Sequence, residues 1–411
     1  MKNLALASLL AIPILTSPLH QKRQQDIGIG SLLSGSLNAG YGKKPASPND
    51  GPRRVVLANR IPQLASAKTV KLRYGPYLVP NMTLKNDFGE SGSLYNYPDT
   101  EIERPCEGEC VLLGITAGLE YGNGTDADLK SGMWLHHMVA FTVSPDRKDP
   151  TCAGLTSLPS LAIGSDSSHS ERFFAAGNEK SDARFNPPWV KDEMMGYYLY
   201  ENDKIAFLVD LMNQNADDRT VYMTITYDYI EGRPKDVSDV KAIWLDIEQC
   251  GTSEYQPPTQ SGNFSAKYSW AATVDGEILG VGGHLHDGGT HLSLAVDGKQ
   301  ICDSVATYGT AGKAEGVPAM NPTAATGKGG GEAGHSHGSE MKGTSGEVVE
   351  HITNMSVCNG KTLGIEKVQQ GQKWDMEAFY DYAKFKGMKN GEGKQTSVMG
   401  IAVMYVKNPK V

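Results

Sequence analysis

The sequence predicts a mostly β protein organised as two tandem antiparallel β-sandwich domains of jelly-roll type. Apolar residues fall in short runs and period-two alternations. Those runs are rich in β-branched and aromatic residues, and clusters of turn formers interrupt them at short intervals. No segment keeps the i, i+3, i+4 spacing of a long amphipathic helix, which leaves sandwiches or jelly rolls as the way to bury the strands. The 411 residues suffice for two domains of ordinary size once a leader and an arm are set aside.

Lys2 and the apolar run 4–15 have the layout of a secretory signal peptide, too short to span a bilayer, and Lys22-Arg23 close a leader with propeptide over 1–23. Residues 24–54 are rich in Gly, Ser, Asn, Pro and Lys and read as a flexible arm, with order beginning near Arg54. The first domain covers 55–247, with strands expected around 69–74, 111–115, 205–211 and 221–229. Turn formers with almost no apolar residue mark a linker at 248–262. The second domain covers 263–411, with strands expected at 264–274, 278–282, 290–296, 361–368 and 398–406. Its Gly, Ala and Pro-rich insertion at 311–344 reads as a mobile loop carrying His335 and His337, a weak copper-capture pair at best.

A formal charge of −8 argues against nucleic acid as partner, and no stretch is long and apolar enough for a transmembrane helix. Sequons at Asn81, Asn123, Asn263 and Asn354 fit a glycosylated, secreted or extracellular protein, a cell-wall location included. The six cysteines, Cys106, Cys110, Cys152, Cys250, Cys302 and Cys358, agree with an oxidising compartment. Cys302 with Cys358 would close a loop in one half of the chain, and Cys152 with Cys106 or Cys110 in the other.

Histidine is scarce, ten residues in all, and unevenly placed. His284 and His286, two apart on a strand, project to one face and suit chelation of a metal, and the glycines flanking them hold the pair at a strand end. His136 and His137 are adjacent, so a regular strand would send them to opposite faces and joint ligation requires a bulge. No histidine lies between Glu171 and Gly283; Asp210 interrupts the apolar strand 205–211 and needs a partner there, with His136 or His137 as candidates.

His136-His137-Met138, the distant Gly283-His284-Leu285-His286 and the terminal strand opening at Met399 together resemble the copper type II, ascorbate-dependent monooxygenases of the peptidylglycine-hydroxylating class. Segments 173–179, 211–213 and 221–229, with Gly283 to Gly289, resemble more specifically the stress-up-regulated nodulin-like proteins of plants and fungi. The resemblance implies an oxygen-activating copper held by His284, His286 and Met399, with Met404 and Met355 as fallbacks for the thioether. Two imidazoles serve both copper states while a thioether favours Cu(I). It also implies a first copper site at His136 and His137, where Asp210 stands in place of a third histidine, so the expectation is one copper ion. The function expected is a secreted mononuclear copper oxidoreductase or monooxygenase-like protein; the alternative is a non-enzymatic copper-binding or cell-surface stress or wall glycoprotein. The substrate, whether small molecule, peptide or cell-wall component, and the oligomeric state are not encoded in any motif.

Overall fold

A computed structural model describes residues 38, 40–86, 89–152, 157–178, 182–185, 193–309, 350–390 and 392–407. The leader at 1–23, the arm up to residue 37 and the insertion with His335 and His337 lie outside the described residues.

In chain order the first half carries β1 Gly42–Lys43, β2 Arg54–Leu57, β3 Lys68–Val79, β4 Ser93–Asp99, β5 Cys110–Tyr121, β6 Met133–Val143 and β7 Ser170–Gly177. It continues with β8 Asp182–Arg184, β9 Met194–Leu199, β10 Lys204–Asn213, β11 Arg219–Glu231 and β12 Val237–Asp246. The second half carries β13 Asn263–Ala271, β14 Gly276–Leu285, β15 Gly289–Val296, β16 Lys299–Gly309 and β17 His351–Met355. It ends with β18 Val357–Cys358, β19 Lys367–Val368, β20 Lys373–Asp381 and β21 Gly400–Lys407. Strand makes up 54% and helix 3% of the described structure, so the mostly β expectation holds. The α-helix present, Leu158–Ala162, is a single short turn with Pro159 in its first turn.

Strands of the second half such as β20 form as the period-two pattern dictates, whereas β5, β6, β10 and β11 are buried almost continuously. In β20, Trp374, Met376, Ala378 and Tyr380 are buried while the residues between them are half-buried or exposed. One expected strand is largely missing: of 361–368 only Lys367–Val368 pairs. Asn359 caps a 3₁₀ turn over Gly360–Thr362, and a Cβ at Gly364 would come within 3.1 Å of the Ile301 backbone, so turn chemistry and a close chain crossing displace the ladder there. Residues 40–54 are laid down rather than trailing, since β1 pairs with the end of β3 and Lys43 meets Asp99 at 2.8 Å.

A four-stranded sheet, β4-β10-β6-β7, shares one core with the β3-β11-β5 part of a twelve-stranded sheet, through Leu72, Leu135, Phe207 and Ile225 among others. A five-stranded sheet, β13-β20-β15-β16-β17, shares a second core with β12, β21 and β14, through Leu245, Val281, Trp374 and Met404. The large sheet runs through both halves: β12 is parallel to β9 over 237–239 and antiparallel to β21 over 240–246. Segment 248–262 is pinned where Tyr255 bridges Val398. Consequently β6 and the end of β14, which carry the two histidine motifs, sit near the seam between the cores.

Three disulfides form: Cys106–Cys110, Cys152–Cys250 and Cys302–Cys358. The last is as expected, but Cys152 does not reach Cys106 or Cys110. It bonds Cys250, just beyond β12, because the chain between them closes a sheet rather than a local loop, a fact that spacing does not encode. Cross-linking residues 98 apart restricts the unfolded chain strongly. Replacing both Cys152 and Cys250 by Ala is expected to lower the unfolding free energy by roughly 2–4 kcal/mol in metal-free urea titrations.

Candidate metal centre

Asp210 is fully buried on β10, and the strands on both sides of it bulge. Between β10 and β6 the register passes from Asp210 opposite His137 to Leu211 opposite Leu135, so His136 is an extra residue. Between β10 and β4 it passes from Val209 opposite Tyr97 to Leu211 opposite Leu94, and Asn96 there takes φ 39°, a left-handed conformation that Asn tolerates better than most residues. The first bulge turns the adjacent imidazoles of His136 and His137 toward a common space, the condition required for them to act together.

Into that space comes His286, one residue past the end of β14. Its ring centroid lies 4.7 Å from that of His136 and 6.1 Å from that of His137. His136, His137 and His286 are all buried, and each offers a ring nitrogen within 4.8 Å of the others. The remaining nitrogen of each ring is anchored. His136 Nδ1 lies 3.2 Å from Asp210 Oδ1, His137 Nε2 3.0 Å from Asn96 Oδ1, and His286 Nδ1 3.2 Å from the Ser397 carbonyl. Those three oxygens accept only, so each anchored nitrogen carries a proton; the opposite nitrogen presents a lone pair in the neutral rings of His137 and His286, and does so in His136 once its second proton leaves. The nitrogens thus freed, His136 Nε2, His137 Nδ1 and His286 Nε2, are buried without a hydrogen-bond partner. Three neighbouring buried ring nitrogens without a hydrogen-bond partner, each opposed by an oriented acceptor, are what a metal ion satisfies, His136 exchanging its proton for the ion. A cavity of about 20 Å³ touching His136, His284 and His286 gives room for an ion or a water.

The charges agree with a cation here. Burial pulls the His136 imidazole down, but its hydrogen bond to Asp210 and the carboxylates of Asp210, Glu90 and Glu254 outweigh this and push it up to about 9. Burial, and then the neighbouring imidazoles, hold His137 and His286 well below the ordinary histidine range, leaving them neutral at pH 7 as ligation requires. Glu254 is pushed up to about 7, first by burial and then by Glu90 and Asp210; its carboxylate accepts from the Ser397 hydroxyl. Several acids crowded about one imidazole pocket favour added positive charge.

The other sequence-derived candidates lie around this cluster. The His284 ring is 5.6 Å from that of His286 and borders both the small cavity and a larger one of about 120 Å³. Met399, just before β21, is buried against Trp244 and Ile401 and lines that larger cavity, as does Met355. Met404 is buried in the second core. Sequence reasoning missed Asn96, Ser397, Glu90 and Glu254. Asn96, between two tyrosines in a strand, carried a bulge signal; the other three carried none. His351 is held by Asp287 at 2.6 Å and packs its ring edge-on against Trp134, and His291 stacks on Phe379. Of the sequons, Asn354 lies on the wall of the larger cavity, whereas Asn123 and Asn263 are exposed. The Asn81 side chain donates to Asp218 at 2.8 Å.

The chain is similar to two fungal proteins named as copper enzymes. It is 24% identical to a "Probable copper-dependent oxygenase M1" of Phoma sp. over 85% of this chain and 74% of that one. It is also 24% identical to a "Probable copper-dependent oxygenase clz3" of Cochliobolus lunatus over 71% of this chain and 78% of that one. These relatives support a copper oxygenase-like family and a copper oxidoreductase-like role. No family model matches the chain. Among solved structures, PNGF-II aligns with TM-score 0.37 at 11% identity over 82% of this chain and 65% of that one. PNGase F, a glycosylasparaginase from Flavobacterium meningosepticum, aligns with TM-score 0.33 at 10% identity over 83% and 96%. Both likenesses are too distant to bear on the site.

Proposed function

We propose that this protein is a mononuclear copper oxidoreductase of the monooxygenase-like kind, with the ion held by His136, His137 and His286. The observation that carries the reading is the set of three orphaned, buried imidazole nitrogens, each opposed by an anchored N–H. Imidazole alone suits zinc as well as copper; the names of the two relatives favour copper. Bound copper would supply one-electron chemistry toward dioxygen or peroxide. The chain's own part is to hold three neutral imidazoles in fixed tautomers through Asp210, Asn96 and Ser397, and to keep the site buried beside an apolar cavity. The ligand set His284, His286 and Met399 read from the sequence shares His286 with this cluster and is the competing assignment. Kinship with the peptidylglycine-hydroxylating class and with the nodulin-like proteins is part of the proposal, as is secretion. The three disulfides, and the lack among the described residues of any helix able to cross a membrane, are compatible with an extracellular protein.

The test is metal analysis after copper loading and dialysis, followed by oxygen consumption with ascorbate as reductant. About one copper per chain and reductant-dependent uptake of oxygen above the metal-free protein are expected. Copper at background overturns the metal assignment, and tight copper without oxygen uptake favours the non-enzymatic alternative.

Copper uptake should also depend on pH with a defined sign. The His136 proton must leave before its Nε2 can ligate, and with that group near 9 the metal competes with a proton at neutral pH. Apparent affinity is therefore expected to rise with pH, by about tenfold per unit for one displaced proton, and to level off near pH 9. In the metal-free protein the same pairing has the opposite slope. Its stabilisation is full below the ordinary histidine range and is lost as pH rises through about 9. Competition titrations at several pH values check the first, and a flat profile contradicts it.

A further inference from the structure

The larger cavity lies directly beside the proposed copper centre, with His137 and His284 in its wall. Its volume of about 120 Å³ is close to that of cavities that admit a single benzene ring. Val139 and Phe174 from the first half face Trp244, Met399, Ile401 and Tyr405 from around the seam. Among the described residues, Arg172 and Asp182 also reach the wall, and both are neutralised by the protein itself. Arg172 Nε meets Asp149 at 2.7 Å while its guanidinium lies over the Trp244 ring, and Asp182 accepts from Arg184 at 3.0 Å and from Thr116 at 2.7 Å. Ser253 donates to Asp246, and Asn96 is engaged by His137. Exposed Thr252 and half-buried Asn354 mark the side nearest solvent.

We propose that this cavity receives an uncharged apolar group of the substrate, about the size of one six-membered ring, and brings it to the His137 and His284 side. In the metal-free chain a carboxylate or ammonium would enter a pocket whose ionic groups, among the described residues, are already paired, and would stay desolvated without a counter-charge. An apolar ring would instead exchange water for aromatic and aliphatic walls. That the group is a substrate rests on the copper reading above; that the cavity binds it does not.

The experiment titrates toluene, benzoate and benzylammonium into the native chain, metal-free and copper-loaded, following tryptophan emission, with the copper content of each sample measured. Toluene is expected to bind saturably at one site, in the metal-free chain at least tenfold more tightly than either charged analogue, with a signal lost in Trp244→Phe. Ala175→Leu, which adds three carbons at the cavity wall, is expected to weaken toluene at least tenfold while thermal unfolding shows the variant folded. If that variant fails to fold, the comparison of the three ligands on the native chain decides alone. Equal or tighter binding of a charged analogue to the metal-free chain, or no saturable toluene binding, overturns the proposal. Toluene binding in a chain that takes no copper upholds the cavity assignment and sinks the copper reading. Copper uptake without toluene binding does the reverse.

Discussion

His137→Ala and His286→Ala each leave the protein unable to retain copper through dialysis, taking the stoichiometry from about one equivalent toward zero. A site cut from three imidazoles to two loses most of the free energy that holds an ion against competing water and buffer. The two residues come from opposite halves of the chain, one on β6 and one just past β14, so their equal effect is the signature of a shared site. Met399→Leu is the contrasting variant. It conserves volume in a buried apolar setting against Trp244 and Ile401, so a stability change under about 1.5 kcal/mol is expected, and copper stays bound. Metal analysis of the three variants side by side checks this, and loss of copper in Met399→Leu with retention in His137→Ala reverses the ligand assignment.

The second large effect is expected at Asp210. Its carboxylate is fully buried and serves two donors, His136 Nδ1–H at 3.2 Å and the Asn96 backbone N–H at 3.3 Å. Asp210→Ala strips a buried, positively charged imidazole of its counter-ion and leaves two donors unsatisfied, a change that costs about 3–5 kcal/mol in the metal-free protein. Copper affinity should fall by roughly 10- to 100-fold, because the His136 ring loses the bond that fixes its tautomer and orientation. Asp210→Asn separates the two effects: the side chain's shape is kept, and without the negative charge His136 falls back from about 9. The pH above which copper uptake levels off should move down with it. Urea titrations and copper competition measured across pH on both variants test the pair of expectations. An unchanged pH profile in Asp210→Asn would mean that His136 is not the ligand whose proton is displaced.

The fold was legible in proportion to how local its causes are. β20 announces itself through period-two burial, and β10 and β11, buried on both faces, through runs of β-branched and aromatic residues, whereas 361–368 failed because a capped turn and the approach of Gly364 to Ile301 outrank strand propensity. Pairing across the chain was hidden: nothing near Cys152 points to Cys250, and nothing in β12 says that it joins both halves into one sheet. The site was half legible. The histidine motifs, the need for a bulge at His136 and the pairing of Asp210 with histidine follow from residue type and alternation, and the structure has all three. That His286 would cross the seam to meet His136 and His137, while Met399 lines a neighbouring cavity, depends on how the sheets pack, and sequence spacing carries no signal for it.

X-ray absorption at the copper edge of the loaded protein tests the central claim most directly. Three imidazole nitrogens and no sulfur in the first coordination sphere is the expected spectrum. Two imidazoles with a sulfur scatterer would place the ion at His284, His286 and Met399 instead, and a sphere without ordered imidazole would mean that the three buried histidines hold no copper at all.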